Sequence, residues 1–185
     1  MDAKRLRALA LFLFIGNSFV AKAGVFEASL GFSFARQNYS NESFTWNRRW
    51  NGGLGYHITE ISEIEFGYQQ SSTRTYVKNY QDTNFQDEVY SLNWIQGVFP
   101  RQVLFQPYLK IGIGQLYRKA TGTYWDGSAP PNRVDSLTVV GGAGLRIYLS
   151  RGFSIRAEAL SYLEGGRIST YRNNVALMAG ISIYF

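Results

Sequence analysis

The sequence predicts an all-β fold: an eight-stranded antiparallel up-and-down transmembrane β-barrel. Three observations predict it. Apolar residues alternate with small or polar ones, period two, in eight separate stretches. The polar side of that alternation is crowded with glycine rather than with solvated charge. Aromatic residues (13 Tyr, 13 Phe and 4 Trp among 185) gather near the ends of the alternating stretches.

The first 23 residues read as an export leader and not as a strand. Lys4, Arg5 and Arg7 precede an apolar run from Leu9 to Ile15, and Ala21-Lys22-Ala23 gives a small-x-small cleavage pattern. The run is far short of the ~20 residues a spanning helix needs. The expected division is therefore a signal peptide over 1–23 and a barrel over 24–185. The leader holds four basic residues and Asp2, so half of the formal charge of +6 leaves with it. The case for a nucleic-acid partner goes with that charge. The chain has no Cys, which argues against a disulfide-stapled extracellular module.

The strands follow in order. Phe26, Ala28, Leu30, Phe32 and Phe34 share one face of the first, against Glu27, Ser29, Gly31 and Ser33. The second sets Trp50, Leu54, Tyr56 and Ile58 against Asn51, Gly53, Gly55 and His57. The third sets Ile64, Phe66 and Tyr68 against Glu65, Gly67 and Gln69, and the fourth Tyr90, Leu92 and Trp94 against Ser91 and Asn93. In the fifth, Leu109, Ile111 and Ile113 oppose Lys110, Gly112 and Gly114. In the sixth, Leu137, Val139, Ala143, Leu145, Ile147 and Leu149 oppose Thr138, Gly142, Gly144 and Arg146. The seventh opposes Phe153, Ile155, Ala157 and Ala159 to Ser154, Arg156 and Glu158. The eighth runs Val175, Leu177, Ala179, Ile181, Ile183 and Phe185 against the small or polarity-tolerant Ala176, Met178, Gly180, Ser182 and Tyr184. Short turns are expected near Thr59–Ser62, Phe99–Gln102 and Ser150–Gly152. Long polar loops are expected at about Arg36–Asn47, Ser72–Asp87, Arg118–Asp135 and Leu163–Asn173.

Period two alone does not say which face looks inward, because a soluble eight-strand barrel keeps its apolar side chains inside. Glycine decides the question. It weakens a solvated strand, but the narrow lumen of an eight-strand barrel demands small residues. The polar face is therefore the inside, and apolar side chains face hydrocarbon.

The closing stretch "VALMAGISIYF" and the stretches "PYLKIGIG" and "IRAEA" carry a family resemblance. The chain resembles the small bacterial outer-membrane β-barrels typified by the transmembrane domain of OmpA and by OmpX and Ail. In that family the last strand ends in an aromatic, with a glycine and alternating apolar residues before it, and the barrel-assembly machinery reads this pattern. Gly180, Ile183 and Phe185 match it, while Met178 stands where a polar residue is common. The resemblance implies location in the bacterial outer membrane, short turns in the periplasm and loops outside.

Inward parity places Glu27, Glu65, Lys110, Arg146, Arg156 and Glu158 in the lumen, with Arg49 a further candidate. Charges in so narrow a space must pair. An ion path and a salt-bridge plug are the two readings, and barrel width favours the plug. The resemblance extends to lipid A enzymes built on eight strands, but His57, the one histidine, is expected at the periplasmic rim, away from the outer leaflet. No enzyme activity, cofactor or metal is expected.

Trp46, Arg48, Arg74, Tyr76, Lys119, Tyr124 and Trp125 fall in the expected loops, as a candidate binding surface. Two readings stay open for them: contacts to an extracellular ligand or to lipopolysaccharide phosphates, and an interfacial belt that packs the loop bases. The overall expectation is a structural or surface-interaction protein for envelope integrity or adhesion. A narrow pore or conduit for small hydrophobic molecules is the alternative, and a lipid A enzyme is a third.

Overall fold

The computed structural model describes residues 25–40, 42–78, 80–100, 103–124, 126–130, 133–166 and 175–185. The expected signal peptide over 1–23 lies outside them. Eight strands run in chain order: β1 (Val25–Ser40), β2 (Ser43–His57), β3 (Ser62–Val77), β4 (Gln81–Gly97), β5 (Phe105–Thr123), β6 (Arg133–Ser150), β7 (Phe153–Glu164) and β8 (Val175–Tyr184). Every strand pairs antiparallel with its neighbours, and β8 pairs with β1, so the sheet is a closed up-and-down barrel.

The parity read from the sequence sets the two faces. Leu30, Leu54, Ile111 and Leu177 point outward and are 57%, 64%, 64% and 74% exposed, while Glu27, Glu65 and Arg146 point inward and are at most 2% exposed. A water-soluble barrel shows the opposite distribution. Two aromatic groups bound the apolar surface. Near the rim that holds the termini, Phe26 packs on Tyr56 and Phe185, with centroids 5.2 and 6.1 Å apart. Farther up, Trp50, Tyr68, Tyr90 and Tyr117 form a chain of ring contacts from β2 to β5, at 5.2, 5.0 and 6.1 Å. Tyr56 and Trp50 are six residues apart, roughly 20 Å along a strand rising about 3.3 Å per residue. Strands tilted by about 40° turn that into about 15 Å along the barrel axis, so the two groups lie within or at the edges of the apolar band of about 25 Å expected of membrane barrels.

The loops differ from expectation. Strand continues through most of the segments expected as long loops at Arg36–Asn47 and Ser72–Asp87 and through half of Arg118–Asp135. Trp46, Arg48, Arg74, Tyr76 and Lys119 therefore stand on strands, not loops. A spanning strand needs about 9–11 residues, whereas β3 to β6 have 16 to 19. Their extra length is sheet that rises beyond the far aromatic chain. β7 ends on two glycines with left-handed φ, Gly165 at 61° and Gly166 at 70°, a conformation that costs glycine little.

The seam between β1 and β8 closes the barrel. Six residue pairs hold it, from Glu27–Tyr184 to Phe32–Ala179. The last residue adds two bonds beyond the strand: Phe26 donates to the Phe185 carbonyl at 2.9 Å and Phe185 donates to the Phe26 carbonyl at 3.0 Å. Gly180 lies opposite Gly31, and a Cβ on it would meet the Leu30 carbonyl oxygen at 2.3 Å. Backbone, not a movable side chain, blocks that space. Gly180→Val should destabilise the barrel by about 1–3 kcal/mol, the usual cost of overpacking. Ala179→Val, which points outward, should be neutral. Denaturant titration of protein refolded into lipid vesicles, read as the heat-modifiable gel band, checks both.

Candidate functional site

All eight strands contribute to a buried polar network in the terminal half of the lumen. Arg146 on β6 bridges Glu27 on β1, at 3.0 Å, and Glu63 on β3, by a short contact. Arg156 on β7 donates to Glu27 at 3.1 Å, to Glu65 at 3.2 Å and to Glu158 at 2.6 Å. Lys110 on β5 lies 2.6 Å from Glu65. Asn93 on β4 donates to the same carboxylate at 3.1 Å. Tyr108 donates to Glu158 at 2.5 Å and accepts from Arg156 at 3.2 Å. Its ring lies under both guanidiniums, at 4.8 Å from Arg146 and 5.5 Å from Arg156. Gly144 makes that position possible, because a Cβ there would come 2.3 Å from the ring. On β8, Tyr184 exchanges a 2.8 Å hydrogen bond with Ser154.

The structure thus brings together Glu27, Glu65, Lys110, Arg146, Arg156 and Glu158, the six charges that parity placed in the lumen. It adds Glu63 and Tyr108, which sequence reasoning missed, and His57, which it placed at the lumen or rim. Glu63 shares the parity of Glu65 and was legible on that ground. His57, expected as a hydrogen-bonding rim residue, is buried with Nε2 at 2.9 Å from Glu27 and 3.7 Å from Glu63. Tyr108 shares the parity of Lys110, but a tyrosine fits either face and its residue type gave no further signal. Glu27, His57 and Glu63 offer three potential ligand atoms within 4.8 Å of one another. Arg146 already bridges the two carboxylates, so the cluster is an ion-pair arrangement. Below it the barrel mouth opens as a cavity of about 650 Å³ lined by His57, Glu60, Tyr148, Arg151 and Tyr184.

Above the network the lumen changes character. Val89, Leu116, Val140, Leu160, Ala176 and Met178 all point inward and are buried. Leu160, Ala176 and Met178 pack together with Tyr162 against them, and the register sets Val89 opposite Leu116 and Val140 opposite Tyr162. A third layer is ionic again. Arg118 makes a bidentate pair with Asp87 at 2.8 and 3.0 Å and reaches Glu164 at 3.0 Å. Arg49 lines a small cavity of about 40 Å³ beside this group.

On the outside, Trp46, Arg48, Arg74 and Tyr76 are neighbours on β2 and β3, with Trp46 opposite Arg74 and Phe44 opposite Tyr76. Arg74 holds Asp82 by two bonds, at 3.0 and 3.1 Å, and this hydrogen bonding keeps the Asp82 carboxyl below its ordinary range. Lys119 stands apart on β5. Tyr124 belongs to the β5–β6 connection, where its backbone N–H donates to Ser128 at 2.9 Å. Trp125 lies outside the described residues. Of the expected assembly pattern, Gly180 sits in the seam, Ile183 faces outward and Phe185 stacks on Phe26.

A closed antiparallel wall with an apolar exterior and ion pairs inside defines an integral membrane β-barrel. The chain belongs to the outer membrane protein beta-barrel domain family, whose sequence model matches residues 7–181, and its place is the bacterial outer membrane. Three solved structures share the fold. Ail of Yersinia pestis, in complex with the heparin analogue sucrose octasulfate, has 16% identity and a TM-score of 0.55 over 88% of this chain and 99% of that one. Neisserial surface protein A has 17% identity and a TM-score of 0.53 over 88% and 97%. The N-terminal barrel domain of Pseudomonas aeruginosa OprF has 17% identity and a TM-score of 0.51 over 88% and 97%. None of the curated proteins matches by sequence.

Removing one partner from a buried ion network leaves the others unpaired, which costs about 3–5 kcal/mol. Arg156 serves Glu27, Glu65 and Glu158 at once. Arg156→Met should therefore shift the unfolding transition in vesicles by that amount, while Arg74→Met, whose pair with Asp82 stands in water, should leave the midpoint nearly unmoved.

Proposed function

We propose that the protein is a non-catalytic outer-membrane barrel with a closed interior, whose working surface is its outer wall. Envelope integrity and adhesion are the roles such a surface serves, with membrane lipids, lipopolysaccharide and an extracellular ligand as partners. The layered lumen is the observation that carries this reading. An ion entering from the periplasm meets paired charges on all sides, then a layer in which Val89, Leu116, Val140, Leu160 and Met178 crowd the buried Gln69, then a second set of ion pairs. An eight-stranded barrel is just wide enough for such side chains to fill it, and a filled interior opposes ion passage. The single histidine supports the non-catalytic reading, since Glu27 and Glu63 face it at the periplasmic end, a membrane's thickness from lipid in the outer leaflet. The terminal Gly180, Ile183 and Phe185 fit recognition by the barrel-assembly machinery, and residues 1–23 fit a cleaved leader.

Single-channel recording in planar bilayers tests the closed interior. Purified folded protein should give a quiet baseline across the usual voltage range. Reproducible stepwise openings would overturn the reading in favour of a pore.

A further inference from the structure

The outer ends of β1 and β2 form an open groove of about 380 Å³ lined by Phe34, Arg36, Phe44, Trp46 and Arg48. Its height on the wall follows from the register. Phe32 lies opposite Trp50, the first member of the outer aromatic chain; Phe34–Arg48 is the next outward-facing pair, and Arg36–Trp46 the one after. Two residues along a strand advance about 7 Å, and less along the membrane normal once the strand tilts. If the aromatic chain marks the edge of the hydrocarbon, Arg48 and Arg36 stand within the headgroup layer, which is about 5–8 Å thick on each side. Phe32 and Phe34, 53% and 61% exposed, reach down from them toward the acyl chains. In the groove each arginine stands beside an aromatic ring, Arg48 opposite Phe34 and Arg36 opposite Trp46, with Phe44 above them.

Charge distinguishes this groove from the rest of the rim. Most outer-rim cations already have acids. Arg74 has Asp82 and Arg133 has Asp135, at 3.0 and 3.2 Å; Lys78 has Glu42, and Arg118 has Asp87 and Glu164. Among the described residues Arg36, Arg48 and Lys119 have no carboxylate within ion-pair distance, and the two arginines share one groove. The Arg36 guanidinium rests 5.1 Å over the Phe44 ring and its Nε donates to Asn38 at 3.1 Å, so one of the two is already positioned. The described β1–β8 ladder stops at Phe32–Ala179, so among the described residues β1 at the level of Arg36 is paired on its β2 side only.

We propose that this groove is a binding site for a phosphate-bearing lipid headgroup of the outer leaflet. The two guanidiniums take the phosphate by charge-assisted hydrogen bonds, and Phe32, Phe34 and Trp46 pack against the adjoining glycerol or sugar and the upper acyl chains. A soluble anion fits less well, because half of the groove wall is apolar and faces lipid. The site rests on the outer wall being the working surface, but its test is independent of conductance: a barrel that conducts and still retains lipid would sink the closed-interior reading and leave this one standing.

The experiment is native mass spectrometry of the folded full chain in detergent, titrated with bis-phosphorylated lipid A. Wild type should retain one lipid. Arg36→Gln/Arg48→Gln should bind at least about tenfold more weakly, the loss expected when charged hydrogen bonds are removed. Arg74→Gln/Arg133→Gln, which removes equal charge from already paired positions, should bind as wild type does. Dephosphorylated lipid A should bind weakly, and excess inorganic phosphate should not displace the lipid. Gel mobility before and after boiling confirms that each variant is folded, and Arg48→Gln alone replaces the double variant if that does not fold. Equal retention by the Arg36/Arg48 variant, equal retention of dephosphorylated lipid, equal loss in the Arg74/Arg133 variant, or displacement by inorganic phosphate would each overturn the site.

Discussion

A strand in hydrocarbon has no water to satisfy its backbone, so every N–H and C=O in the band must find a partner inside the wall. The rest of this structure follows from that constraint. Seven hairpin ladders come from chain neighbours and need only local turns; the eighth joins the first strand to the last and needs the whole chain in place. It is also the shortest, six pairs against sixteen between β3 and β4. The final residue extends it. The reciprocal bonds between Phe26 and Phe185 carry the pairing past the strand end, and the ring contact between the same residues places an aromatic at the rim. The order of the last strand is thus a requirement of closure.

Closure with the apolar face outward leaves the polar face nowhere to go but a lumen too narrow for bulk water. Each charge there loses its hydration and must recover it from protein. Four carboxylates (Glu27, Glu63, Glu65 and Glu158) share three permanent cations (Lys110, Arg146 and Arg156), with His57, Asn93 and Tyr108 supplying further polar contacts. No member has a single exclusive partner. Arg156 contacts three carboxylates from three strands, so the network ties the wall across its diameter and ladder bonds tie it around. Gly144 makes room for Tyr108 between the guanidiniums, so a residue with no side chain is part of the same device.

Most of the membrane-embedded fold was legible because hydrocarbon outside and polar lumen inside impose opposite chemistry on alternate residues. Legibility failed where that contrast vanishes. In the outer lumen Val140, Leu160 and Met178 point inward beside strand positions that are also apolar, so both faces look alike and the apolar side chains of that layer are hidden. Beyond the aromatic chain the reverse holds. The stretch "SSTRTY" on β3 has polar residues on both faces because water lies on both, and without a contrast it resembles a loop. Glu63 is a different kind of miss: its parity was visible, but it stands at the edge of the alternating stretch, where a strand end and a turn look the same. Which cations were paired was hidden entirely, since the bond from Arg118 to Glu164 joins residues 46 apart.

The sheet that rises past the membrane bears on what the outer surface can bind. A flexible loop that captures a ligand must give up its conformational freedom on binding, and that loss is subtracted from the affinity. Side chains on a paired strand have already given it up during folding. Trp46 and Arg48 are fixed by ladders on both sides, to β1 and to β3, and Arg36 by its ladder to β2 and its seat on Phe44. The paired cations around them, Arg74 and Arg133 above all, are internally neutralised and present little net charge to an incoming anion. A rigid wall with most of its charge cancelled leaves Arg36 and Arg48 together in one groove beside the aromatic chain, at the height where the proposed phosphate-bearing headgroup would meet them.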